Sequence, residues 1–179
     1  MTTNRRRTRR VGLGLAAATT MLIGGAQAAS AVERGAVVSE ASGPTQVYGP
    51  DNPLAGVSLR IHGVQTPSGK TIVSLHAAGF DPALAGTTYG AHVHVNPCGP
   101  TGAAAGGHYK NLTLPATDVE AREIWLDFTV NPDGTAHARA QRDWVFTSSA
   151  QSVVVHALPT DLTGGAGTRL ACTDAPFHP

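Results

Sequence analysis

An all-β fold, a sandwich or barrel of short strands, is what this sequence predicts, and three observations predict it. Short segments alternate apolar and polar residues, turn signals rich in Gly, Pro, Asn and Asp separate them, and no stretch carries a convincing amphipathic-helix pattern. At 179 residues the chain has room for one domain with one sizeable core. No internal repeat is visible.

Residues 1–31 stand apart as an export signal. The first ten contain five arginines, residues 11–24 are apolar or small, and cleavage after Ala28 or Ala31 suits a small-x-small site. Thr8-Arg9-Arg10-Val11-Gly12-Leu13 also resembles a twin-arginine signal, although leaders of ordinary secretion carry adjacent arginines too. Either route places the protein outside the cytoplasm, in the periplasm, cell wall or medium. Removing the five leading arginines from 13 basic residues leaves eight against 12 acidic ones, a net charge of −4. The mature chain therefore gives no electrostatic basis for nucleic-acid binding, and no remaining segment is long and apolar enough to span a bilayer. Its two cysteines, Cys98 and Cys172, in an oxidising compartment point to one disulfide.

The elements follow in order. Residues 32–54 read as a flexible N-terminal arm with a short strand near 46–48, leaving 55–179 as the folded domain. Residues 56–64 and 70–78 form a hairpin about Pro67-Ser68-Gly69, and residues 89–95 form the next strand. Residues 96–118 are a long loop of the kind that carries function. Residues 123–130 and 135–141 flank Asn131-Pro132-Asp133-Gly134 as a second hairpin. Residues 151–158 and 168–173 close the domain, turning through Gly164-Gly165-Ala166-Gly167.

Chemistry concentrates in residues 90–109, GAHVHVNPCGPTGAAAGGHY, which hold three of the eight histidines and one of the two cysteines. His92 and His94 lie two apart in a strand, so their imidazoles share a face. Alone, such a pair describes two polar positions on an exposed strand. Cys98 and His108, on a small-residue loop able to fold back, bracket it and point to a metal site. His156, ending SVVVH, is the fourth candidate ligand, although a lone histidine there would be an ordinary core or rim residue.

HVHVNPC, GGHY, SVVVH and GAGTRLAC occur in the order, and with the residues, of copper/zinc superoxide dismutases, exported bacterial ones in particular. The resemblance spans about residues 57–173. It implies an antiparallel Greek-key β-barrel, this family being one of those that share the immunoglobulin-like sandwich architecture. It implies His92, His94, His108 and His156 as copper ligands, and a Cys98–Cys172 disulfide tying the metal loop to the last strand. It also implies Arg169 as the guide for a small anionic substrate, superoxide. The implied reaction is copper-dependent disproportionation to oxygen and hydrogen peroxide, with His108 moving one proton. Four imidazoles independently suit Cu(II), which heads the divalent affinity order, although Zn(II) accepts imidazoles as well.

Two departures qualify the resemblance. The family's zinc is held by the bridging histidine, two further histidines and an aspartate. Between His108 and residue 123 there is no histidine here, and only Asp118 and Glu120 offer oxygen ligands. A closed zinc site needs four ligands, so the expectation is copper without zinc. His108 then needs another partner to hold its orientation, for which Asp118, Glu120 and Asp161 are candidates. The segment between His156 and Arg169 is also short and lacks lysine, which leaves copper and Arg169 as the local attraction. At physiological salt the Debye length is about 8 Å, so distant carboxylates are largely hidden from an approaching anion. The competing function is a non-catalytic copper-binding or copper-delivery protein on the same fold.

The remaining features have plainer readings. His62 and His76 fall in the first hairpin as solvated strand positions, His137 lies inside a later strand, and His178 lies at a fraying terminus. Asn111-Leu112-Thr113 matches a glycosylation sequon of the kind that arises by chance. Trp125 and Trp144 read as core or rim aromatics.

Overall fold

The computed structural model describes residues 37–42, 45–148 and 150–178. The expected export signal and the start of the arm lie outside these residues. Among the described residues, nine strands build two antiparallel sheets. The first runs β1 (Val37–Ala41), β3 (Ser58–Gln65), β4 (Thr71–Ala78) and β7 (Thr135–Arg142). The second runs β2 (Gln46–Val47), β9 (Arg169–Phe177), β8 (Ala150–His156), β5 (Thr88–His94) and β6 (Phe128–Thr129). The chain changes sheet between β4 and β5 and returns between β6 and β7, as a Greek-key sandwich requires.

Period-two patterning explains which face each strand buries. Leu59, Ile61, Val73 and Leu75 of the first sheet pack into one core with Ala91, Val93, Val153 and Val155 of the second. The expected second hairpin is instead a corner between the sheets: β6 pairs with β5 and β7 with β4. The connection bends at Gly134, whose φ of +73° favours glycine and whose Cβ would meet the Phe80 carbonyl oxygen at 2.7 Å.

Two further expectations change. The described part of the presumed arm is built into the sandwich: β1 pairs with β3 and β2 with β9, covering otherwise unpaired strand edges. Asn52 pins the next turn, donating to the carbonyls of Tyr48 at 2.7 Å and Leu170 at 2.8 Å. Residues 123–130 do not make one continuous strand. A single helical turn, α1 (Val119–Arg122), commits the Glu123 amide to the Val119 carbonyl, and regular pairing resumes only at β6. Ile124, Leu126, Phe128 and Val130 are all buried, as their alternation predicts. Alternation reported the burial here, and the ladder was interrupted by helix capping.

Candidate metal centre

Three stretches of chain deliver the four histidines. His92 and His94 project from β5 to one face, both fully buried. The loop after β5 folds back along it, with the Val95 amide on the Gly107 carbonyl at 3.1 Å and the Tyr109 amide on the Val93 carbonyl at 2.8 Å. This return sets His108 opposite His94. It needs Gly106, where φ is +72° and a Cβ would lie 2.7 Å from Asn96 Nδ2. His156 ends β8, beside β5, where a register shift after Val155 breaks strict alternation and keeps the histidine buried. The potential ligand atoms of the four all lie within 4.8 Å of one another.

Each ring holds one nitrogen fixed and turns the other inward. His94 Nδ1 donates to the Gly106 carbonyl and His156 Nδ1 to the Gly167 carbonyl, both at 3.2 Å. His108 Nδ1 donates to Glu123 Oε2 at 2.8 Å. Since a carbonyl or carboxylate only accepts, the proton sits on Nδ1 in all three and the lone pair on Nε2. His92 is reversed. Its Nε2 donates to Thr160 Oγ1 at 2.8 Å, Thr160 passes a hydrogen bond to Asp127 Oδ1 at 2.6 Å, and buried Nδ1 has no partner.

These nitrogens fit a metal ion. His94 Nε2 and His156 Nε2 lie 3.4 Å apart; with both Nδ1 protonated, two lone pairs face each other. A cation between them removes that repulsion and satisfies His92 Nδ1 as well. An all-imidazole donor set of this kind suits Cu(II). Burial favours the neutral, ligating form: it lowers the pKa of His92 and His94 to about 2 and that of His156 to about 4, with the neighbouring histidines and Arg169 adding to the effect.

Glu123 is the residue the sequence reading missed. It is 1% exposed, accepts from His108 and, at 2.8 Å, from Trp125 Nε1. Lys110 Nζ stands 3.0 Å from its other oxygen, a charge contact that lacks hydrogen-bond geometry. Burial alone would raise the Glu123 pKa; the bonds from His108 and Trp125 and the Lys110 charge outweigh it and hold the carboxyl below its usual range. The named alternatives are engaged elsewhere or exposed. Asp118 caps α1, Asp161 accepts from Thr163 and Gly165 in its own turn, and Glu120 is solvent-facing. The signal that could have found Glu123 is a lone acid at the start of an apolar alternating run.

Lys110, Glu123, His108, His156 and Arg169 line an open cavity of about 500 Å³. Arg169 is anchored by its Nη1 on the Gly102 carbonyl at 2.7 Å. A lysine does therefore line the mouth, supplied by the loop after His108. Cys98 and Cys172 are disulfide-bonded, and Asp174 accepts from the Cys98 amide at 2.7 Å. Asn111 is 3% exposed and its side-chain oxygen accepts from Thr113, which gives the sequon a local structural use.

A family model described as copper/zinc superoxide dismutase (SODC) matches residues 57–174. No curated protein sequence matches the chain. Among solved structures, one titled as a crystal structure analysis of the clock protein EA4 aligns with a TM-score of 0.55 at 19% identity, covering 78% of this chain and 94% of that one. At that identity the likeness speaks for the fold alone.

Proposed function

The chain belongs to the copper/zinc superoxide dismutase family, and from that premise we propose that it is an extracytoplasmic, copper-dependent superoxide dismutase that works without zinc. The observation that carries this reading is the set of four convergent imidazole nitrogens, each oriented by a partner on its opposite ring nitrogen. His92, His94, His108 and His156 are the ligands it assigns. When bound, copper supplies the one-electron couple by which two superoxide ions and two protons become O₂ and H₂O₂.

The chain's own residues do the rest. Glu123 takes the place the zinc ion holds in the family: it fixes the His108 tautomer, and Trp125 and Lys110 hold Glu123 in turn. His108 Nε2 is the atom at which a proton can be held, since Nδ1 stays bonded to the carboxylate. Arg169 gives the cavity a local positive potential that a small diffusing anion meets inside the screening length, and Lys110 compensates the Glu123 carboxylate beside it. Arginine suits this task because it stays charged at any working pH. A copper carrier on the same fold is the alternative reading, and an uncompensated arginine beside a cationic metal serves a carrier poorly.

Metal analysis after reconstitution with both metals, paired with a superoxide-decay assay, tests the proposal. One copper at the four histidines and catalytic decay are expected. Stoichiometric zinc held beside His108, or copper bound without turnover, would overturn it.

A further inference from the structure

Three of the four histidines outside the cluster, His62, His76 and His137, occupy outward positions of the four-stranded sheet. The core-facing positions between them carry Ile61, Leu75, Ala77 and Ala136, so burial by alternation fixes which face the histidines take. Register brings two of them together: His76 of β4 pairs directly with His137 of β7, and both are exposed. His62 lies one row away, opposite Ser74, with its Nε2 3.7 Å from Glu40 Oε1.

Directly opposed residues of an antiparallel pair hold their Cβ atoms about 4.5–5.5 Å apart. Two imidazoles at that spacing can present nitrogens about 3 Å apart, the separation of adjacent ligands at metal–nitrogen distances of about 2.0–2.1 Å. The scaffold beneath is fixed, since β4 is paired along its length on both sides. The rings themselves are free to turn, because neither is buried. Beside His76, a concavity of about 910 Å³ lined by Glu40, Arg60, His62 and Ser74 leaves room for water to complete a coordination shell.

We propose that His76 and His137 form a second, solvent-facing site for a divalent transition-metal ion, Cu(II) ahead of Zn(II) by the general affinity order. It lies on the sheet that does not carry His92, His94 and His156. Arg60 shares its row on the other side of His76, and Arg139 follows His137 on the same outward face. Those charges oppose a cation and make the site weaker than the four-histidine cluster and freely exchanging. Neither histidine takes part in the dismutase reading, and the site stands without it.

The mature, N-terminally acetylated chain is titrated with Cu(II) and followed by calorimetry and electron paramagnetic resonance. Two spectroscopically distinct equivalents are expected, the weaker lost in His76→Ala and in His137→Ala, with affinity falling at least about tenfold as one of two ligands goes. The tighter equivalent stays in both variants, which shows that they fold. Zn(II) added to protein carrying only the single tighter copper equivalent should bind the wild type and fail to bind either variant. A single copper equivalent in the wild type, or a second one untouched by both substitutions, overturns the proposal. Loss of the tighter equivalent in a His92→Ala variant, with the weaker one retained, keeps failure of this site distinct from failure of the dismutase centre.

Discussion

Replacing Glu123 by alanine removes the acceptor on which the centre's orientation rests. The carboxylate is 1% exposed and takes bonds at 2.8 Å from both His108 Nδ1 and Trp125 Nε1, with Lys110 Nζ at 3.0 Å. Truncation leaves the half-buried Trp125 indole N–H unpaired and His108 without the partner that sets its tautomer. Hydrogen bonds to a charged group contribute about 1.5–3 kcal/mol each, a loss offset in part because the buried charge is itself removed. The separate effect on the metal is that of losing an orienting partner, about 10–100-fold in affinity. Glu123→Gln splits the two. Its carbonyl oxygen can still accept from His108 and Trp125, but its amide then faces the Lys110 ammonium, donor against donor. The Gln variant should therefore recover most of the stability and only part of the copper affinity. Denaturant melts of the metal-free proteins and copper competition titrations measure the two quantities independently. An alanine variant that keeps wild-type copper affinity within about twofold would refute the role assigned to Glu123.

Three further outcomes follow from the same geometry. Arg169→Ala should leave copper stoichiometry and the Cu(II) spectrum nearly intact, lower superoxide turnover several-fold and weaken the salt dependence measured by stopped flow, and Arg169→Lys should restore part of the turnover. The metal-free protein should lose stability in mild acid. His92, His94 and His156 have folded pKa values lowered to about 2, 2 and 4, so the unfolded chain binds more protons below its ordinary histidine pKa of about 6.5. Their stability contribution is complete above that value and declines as pH falls, by about 3–4 kcal/mol between pH 6 and 5 for three such groups. Chemical melts across that range check it, and a pH-independent midpoint would contradict the buried neutral cluster. Finally, alkylation of native protein without reductant should label neither Cys98 nor Cys172. Closing a span of 74 residues stabilises by about 4–5 kcal/mol in the chain-entropy model, so reduction should lower the melting temperature; labelling of both thiols would remove that anchor.

Much of this molecule was legible before its coordinates. The alternating runs gave the sandwich, because a strand's period of two is written directly in residue polarity. The His-x-His pair gave a shared face for the same reason. Other features are not local. The pairing of residues 37–41 with β3 passes over β2, which joins the other sheet, and nothing in VVSEA names its partner. Glu123 escaped notice because its alternation with apolar neighbours assigned it to a strand surface, whereas α1 turns it inward onto His108. Lys110 was missed as a mouth cation because the segment expected to carry such charges is the one before Arg169, and the loop after His108 supplies it instead. Thr160 and Asp127 join His92 across 68 and 35 residues, and no spacing rule connects them.

The most direct test of the central claim is superoxide decay followed by stopped flow on the purified mature chain loaded with one equivalent of copper and no zinc. The account predicts catalytic decay that is abolished in a His156→Ala variant and unchanged when zinc is added. Decay no faster than with the metal-free protein, or activity that appears only once zinc is supplied, would contradict it.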